Sequence, residues 1–265
     1  NSYNIGEAVR ALAVSPDGSK LVAATSAGSG TVFTVSGTNI SVQSNFKFAG
    51  SAKSVVFNGS QQFILLSTKM IGKYSAGNPS NPLVINHTGG ITACIVGKSS
   101  RLYTAFGNTL KIYDTWDDLN SDVAFATLQA DSKIYSIATD EAEEFIAAGT
   151  YNGFVWIGNT KSNAFQWNRG LHLSAVNDLE FCTVDNGTIQ LASAGADQTI
   201  KLIDVNAALQ KNNAEDIITL KGHSRWVYSL CYTTDGQWLL SSGEDNRIIA
   251  WKPTMACLYQ TLYNK

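Results

Sequence analysis

The residues in this 265-residue chain best suited to chemistry are three histidines and a set of turn aspartates. His87, His172 and His223 could ligate zinc through imidazole nitrogens or shuttle a proton near neutral pH. Asp17, Asp140, Asp185 and Asp235 could supply carboxylates for acid–base work. Spacing argues for something else. His87 opens His-Thr-Gly-Gly-Ile, His172 opens His-Leu-Ser-Ala-Val and His223 opens His-Ser-Arg-Trp-Val, so an aliphatic residue always stands four places on and starts an apolar run. Histidines in one phase belong to copies of one structural unit, each doing the same local job in its own copy.

The unit repeats along the whole chain. Its anchors are Val9, Ala52, Ile91, Ile134, Val176 and Val227, at separations of 43, 39, 43, 42 and 51 residues. A period in this range signals a solenoid, a propeller or an array. Most first runs end in a turn signal, such as Ser15-Pro16-Asp17-Gly18, Asn58-Gly59 or Thr234-Asp235-Gly236, where Gly, Asn and Asp supply positive φ. A second run follows (KLVAATSAG, FILLSTKM, RLYTAFGN, EFIAAGTYNG, IQLASAGADQ, WLLSSGEDN), then a third and a weaker fourth. Runs this short, rich in β-branched and aromatic residues, are strands. Four strands per unit and six units predict an all-β, six-bladed β-propeller of four-stranded antiparallel blades.

Gly222-His223, LASAGADQTIKLID at 191–204 and LLSSGEDNRIIAW at 239–251 make the chain resemble the WD-repeat family. The Trp-Asp pair of that family is degenerate here, standing as Tyr113-Asp114, Ile203-Asp204 and Trp251-Lys252. The resemblance covers the chain, and its last two units match best. It implies that each histidine joins a hydroxyl of the second strand, an aspartate of the next turn and the tryptophan of the third strand. The sixth unit has the full set: His223, Ser241, Asp245 and Trp251. The fifth has His172, Ser193 and Asp197, with Ile203 in place of Trp. The third has His87 and Thr104, with Tyr113 at the Trp position. On this reading the histidines are structural, the turn aspartates are solvated caps, and neither metal nor cofactor is expected.

The length suits one domain over residues 1–265, with blades starting near 9, 52, 91, 134, 176 and 227. A net charge of −2 gives no global reason to bind nucleic acid or an anionic membrane. No apolar run reaches the length of a membrane span. Cys94, Cys182, Cys231 and Cys257 lack Cys-x-x-Cys spacing, and three fall in apolar first strands as free thiols. That points to a reducing, cytoplasmic setting, although Asn39, Asn58, Asn86 and Asn186 each open an Asn-x-Ser/Thr triplet. No nucleophile elbow, His-Glu-x-x-His, phosphate loop or calcium loop is present, so no catalytic residue is assigned.

In a propeller the fourth-to-first and second-to-third strand connections share one face, the top. The residues after the anchors, Arg10, Lys53, Thr92, Tyr135, Asn177 and Tyr228, are expected to ring it, with Arg225 and Trp226 just before the last anchor. Trp, Tyr and Arg dominate binding hot spots. We therefore expect Arg10, Lys53, Tyr135, Tyr228, Arg225 and Trp226 to bind a protein or peptide. The insertions at 115–123 and 206–216 follow third strands, on the bottom face. Met255, Leu258, Tyr259, Leu262 and Tyr263 keep helical spacing, which predicts a short C-terminal helix. The sixth blade then takes its outer strand from residues 2–5, the alternative being six locally complete blades.

The functional reading is a non-catalytic interaction scaffold, monomeric as an isolated domain. One alternative is a sensor region of a larger signalling protein; Asn1 in place of Met, the closing strand and the tail loosely resemble the C-terminal WD-repeat regions of bacterial STAND-type ATPases. Another is a propeller enzyme.

Overall fold

A computed structural model describes residues 3–86, 90–162, 164–184, 187–211 and 217–253. The chain is an all-β, six-bladed β-propeller of antiparallel blades. The first blade is β1 (Val9–Val14), β2 (Lys20–Thr25), β3 (Ser29–Ser36) and β4 (Asn39–Lys47). The second is β5 (Ala52–Asn58), β6 (Gln62–Ser67), β7 (Met70–Ser75) and β8 (Leu83–Asn86). The third is β9 (Ile91–Val96), β10 (Leu102–Phe106), β11 (Thr109–Tyr113) and, after helix α1 (Trp116–Ser121), β12 (Ala126–Gln129). The fourth is β13 (Ile134–Thr139), β14 (Phe145–Thr150), β15 (Phe154–Asn159) and β16 (Phe165–Gly170). The fifth is β17 (Val176–Val184), β18 (Thr188–Gly195), β19 (Thr199–Asp204) and, after α2 (Val205–Lys211), β20 (Ile218–Lys221). The sixth is β21 (Val227–Tyr232), β22 (Leu239–Gly243) and β23 (Ile248–Trp251). Strands pair in chain order within every blade.

The chain divides into two compact units, residues 1–96 with 115–123, and residues 97–114 with 124–265. In the first, Phe46, Phe63 and Tyr74 lie between the two blades, and Phe63 stacks on Tyr74 with ring centroids 5.1 Å apart. Burial pushes the Tyr74 phenol up to about 12. In the second unit, Val155, Trp167, Leu179 and Leu191 form one core, and Ile200, Leu202, Leu230 and Tyr232 form another. Each such side chain removed from water contributes roughly 1.5–3 kcal/mol.

The sixth sheet has three strands among the described residues. Residues 3–5, expected as its outer strand with Ser2, are not a strand. Instead Tyr3 sets its ring edge against Phe33 of the first blade, at 5.0 Å, and Asn4 Oδ1 accepts from the Gly6 N–H. Residues 3–5 carry one aromatic anchor and are held by that ring contact rather than by a ladder. The predicted C-terminal helix at 255–263 lies outside the described residues.

The described part of each insertion contains a helix, α1 in 115–123 and α2 up to Lys211. Thr115 caps α1 in a capping box: its hydroxyl accepts from the Asp118 N–H at 3.1 Å, and the Asp118 carboxylate accepts from the Thr115 N–H at 3.0 Å. Asp204 Oδ1 accepts from the Ala207 N–H at the start of α2. Among the described residues no helix is long and apolar enough to cross a membrane.

Candidate functional site

One irregularity recurs in five blades and decides which side chains face outward. The register of the innermost strand against the second shifts between Val9 and Ala11, Ala52 and Ser54, Ile134 and Ser136, Val176 and Asp178, and Val227 and Ser229. The extra residues of these β-bulges are Arg10, Lys53, Tyr135, Asn177 and Tyr228. A bulge leaves one residue unpaired and re-aims its side chain. In the first unit Arg10 is exposed, and Lys53 is exposed with its Nζ 3.4 Å from the Ile91 carbonyl. In the second unit Tyr135 and Tyr228 are exposed, whereas Asn177 turns to the neighbouring blade and donates to the Val227 carbonyl at 2.8 Å.

The top connections of the second unit are fixed by the histidines beneath them. His223 Nδ1 lies 2.9 Å from Asp245 Oδ1, and its Nε2 lies 2.8 Å from Ser241 Oγ, which also accepts from Trp251 Nε1 at 2.8 Å. The other Asp245 oxygen accepts from the Ser224 N–H. In the fifth blade His172 meets Asp197 at 2.9 Å and Ser193 at 2.8 Å, and Asp197 accepts from the Leu173 N–H at 3.1 Å. Burial opposes both aspartate charges, but the donors around them hold both carboxyls below the usual range. Each aspartate thus ties the second-to-third strand turn to the incoming loop, so those two connections are braced. His87 lies outside the described residues. Thr104 is buried, and its hydroxyl has no partner among the described residues.

Blades without the histidine use a different device at the same place. Gly195 and Gly243 stand opposite the first residue of the inner strand, where the first, second and fourth blades have Thr25, Ser67 and Thr150. Those buried hydroxyls accept from the Ser29, Met70 and Phe154 N–H groups, closing the turn that the aspartates close elsewhere. A Cβ at Gly243 would lie 2.7 Å from His223 Nδ1, so the imidazole needs glycine there. In the first blade Glu7 receives the Thr25 hydroxyl at 2.7 Å, and the Ser29 hydroxyl as well.

Around the braced loops of the fourth to sixth blades lies an exposed apolar set. Trp226 is 49% exposed and Tyr228 47%, with ring centroids 6.3 Å apart in an edge-to-face pair. Tyr135 and Tyr151, 60% exposed, have ring centroids 5.5 Å apart, and Lys133 Nζ stands 5.5 Å from the Tyr135 ring. Leu173 is 97% exposed. Leu173 and Tyr151 escaped the sequence reading, because a lone apolar residue in a loop carries no periodic signal. Gly153 joins their connections, its carbonyl accepting from the Leu171 and His172 N–H groups. Arg225 is exposed and sits 3.8 Å from Glu244.

The bottom connections carry a second polar cluster. Glu143, at φ 54°, is buried, and its carboxylate accepts from the Ser99 N–H at 2.5 Å, the Ser99 hydroxyl at 2.7 Å and the Tyr103 hydroxyl at 2.8 Å. Burial opposes the charge, yet these donors hold the carboxyl below the usual range. Beside it, Lys98, Arg101, Glu141, Glu144 and Lys161 line a cleft of about 340 Å³. The turn aspartates are not uniformly solvated. Asp17 and Asp235 are exposed caps, but Asp140 is buried and accepts from the Phe145 N–H at 2.6 Å, because its turn folds back over β14. Asp185 lies outside the described residues. The thiols also differ: Cys94 is buried, Cys182 partly buried and Cys231 exposed, while Cys257 lies outside the described residues. Among the described residues no group of three or more His, Cys, Asp or Glu could hold a metal ion.

Residues 214–252, the fourth strand of the fifth blade and the described sixth blade, match the family described as WD domain, G-beta repeat. The chain is 29% identical over 106 residues to WD repeat and SOCS box-containing protein 1 of Homo sapiens, covering 40% of this chain and 24% of that protein. It is 34% identical over 102 residues to a subunit of chromatin assembly factor 1 of Gallus gallus, covering 33% and 18%. It is 25% identical over 176 residues to the ribosome biogenesis protein WDR12 homolog of Trichoplax adhaerens, covering 64% and 38%. The chain spans about a quarter of the length of the first of these relatives.

Proposed function

We propose that this chain is a non-catalytic interaction module that docks a protein or peptide on the top connections of its fourth to sixth blades. The observation that carries this reading is the set Tyr151, Leu173, Trp226 and Tyr228, large apolar side chains in water, of which Leu173 and Trp226 stand on loops that two histidine–aspartate contacts brace. Exposed apolar clusters rimmed by polar residues mark interaction sites. Rigid anchors also lose little conformational entropy on binding. Both described histidines have both ring nitrogens engaged, so we assign them to the frame and give them no step in catalysis. One of the similar proteins is by name a subunit of chromatin assembly factor 1, and hence part of an assembly, which accords with this reading.

The test is affinity capture from the source cell's lysate with the wild-type chain and with Trp226→Ala and Leu173→Ala. The expected result is a protein retained by the wild type and weakened in both variants, Trp226→Ala costing more than about 2 kcal/mol of binding, with thermal stability nearly unchanged. A retained partner indifferent to both, yet sensitive to α1 or α2, would place the working surface at the other end of the blades.

A further inference from the structure

Resting on that docking reading, we infer that the top of the fourth to sixth blades takes an acidic peptide segment built around one large apolar anchor. The chain as a whole is slightly anionic, at −2, but this surface is not. Lys133, Lys221, Arg225 and Arg247 are all exposed at the connections that carry the apolar set. Lys133 and Lys221 pair with no carboxylate among the described residues. Among the described residues Arg247 reaches a backbone carbonyl, that of Gly222, at 3.3 Å, and no carboxylate. Arg225 has Glu244 at 3.8 Å, across solvent, a contact of little energy.

Two of the carboxylates of the same connections are turned inward. Asp197 and Asp245 are each engaged by a histidine and by the N–H of the residue after it, and their side chains are almost wholly buried. Asp131, within 3.4 Å of the Asn152 side-chain amide, and Glu244 stay exposed. The frame that braces the loops therefore withdraws Asp197 and Asp245 from their outer surface, leaving Asp131 and Glu244 there against Lys133, Lys221, Arg225 and Arg247. What projects is an excess of cations flanking Tyr151, Leu173, Trp226 and Tyr228. Complementarity calls for a partner with carboxylates on either side of an aliphatic or aromatic side chain. Aromatic faces beside cations also suit single-stranded nucleic acid. Leu173 decides against it: the most exposed apolar side chain of the set has no π face on which a base could stack.

The experiment pans a phage-displayed random dodecapeptide library against the full chain at low salt, then measures synthetic binders by fluorescence anisotropy. The expected binders are rich in Asp and Glu around a Leu, Ile, Phe or Trp. Their affinity should fall at least tenfold in the double variant Lys133→Glu/Arg225→Glu, and severalfold between about 50 and 500 mM salt as screening shortens. The bottom-face reversal Lys161→Glu should leave it unchanged, and circular dichroism melts should show all variants folded. Binders that need Trp226 and Leu173 but carry no acidic bias overturn this inference and leave the docking reading intact. A library with no enriched binder overturns both. Tighter binding of a labelled oligo-dT dodecamer than of any selected peptide, with the same dependence on Lys133 and Arg225, overturns the peptide in favour of nucleic acid.

Discussion

Replacing Glu180 by Gln should stabilise this protein at pH 8 and do almost nothing at pH 4.5. Glu180 lies on β17, opposite Ala192, partly buried on the side of the strand that faces the sixth blade. It makes no hydrogen bond or ion pair among the described residues. Asp178, two residues back on the same face, is fully committed: its carboxylate accepts from the Leu179 N–H at 2.9 Å and the Leu230 N–H at 2.8 Å. Burial first, and the Asp178 charge second, push the Glu180 carboxyl up to about 7 from an ordinary 4.5. A value raised on folding means that stability is fully present below pH 4.5, is lost progressively as pH rises, and is lowest above 7. At 1.36 kcal/mol per pH unit, the loss is about 3 kcal/mol. Removing the charge should restore it, a rise of roughly 6–12 °C in melting midpoint for a domain of this size. Urea titrations of both proteins at the two pH values, followed by tryptophan fluorescence, give the answer. An equal gain at both pH values would mean that packing is responsible, and no gain at pH 8 would mean that water reaches the carboxylate.

Three further outcomes are expected. His223→Ala should destabilise by roughly 1–3 kcal/mol in urea, because Ser241 and Asp245 are left as buried groups without their partner; an unchanged midpoint would refute the brace. Gly243→Ala should cost roughly 1–3 kcal/mol by forcing a Cβ against His223 Nδ1 at 2.7 Å and the Trp226 carbonyl at 2.9 Å, read as a lowered urea midpoint; an unchanged midpoint would show that the imidazole gives way freely. Thr115→Ala should cost about 1 kcal/mol through loss of the α1 cap, read as faster amide exchange at Asp118 and Leu119, with the other strands unaffected.

The blades are legible in the sequence because they depend on local chemistry repeated many times. Each anchor, from Val9 to Val227, is the first residue of an innermost strand. The offsets from His223 to Ser241, Asp245 and Trp251 are likewise fixed by strand length and turn size. What was not legible depends on packing or on one residue. Residues 3–5 show no pattern that separates an outer strand from a segment held by one tyrosine ring. The bulges are invisible in composition, yet they set the direction of Arg10, Tyr135 and Tyr228. Leu173 in a loop and Glu180 in a strand are both unremarkable by type. Only the neighbouring sheets reveal that the one is in water and the other is partly withdrawn from it.

The two turn designs constrain how these repeats can change. A blade of the glycine-and-histidine kind cannot become one of the hydroxyl kind by single substitutions without passing through a worse state. Threonine first at position 243 collides with the imidazole; alanine first at position 223 leaves a hole and an aspartate without its donor. The two positions are therefore coupled, and their double replacement should cost less than the sum of the two single ones. Drift at either site alone is blocked, so a blade keeps its turn type while its surface varies. The fifth and sixth blades can then exchange top-face residues such as Leu173 and Trp226 over an unchanged frame, and a new partner can be acquired without rebuilding the turn that holds it.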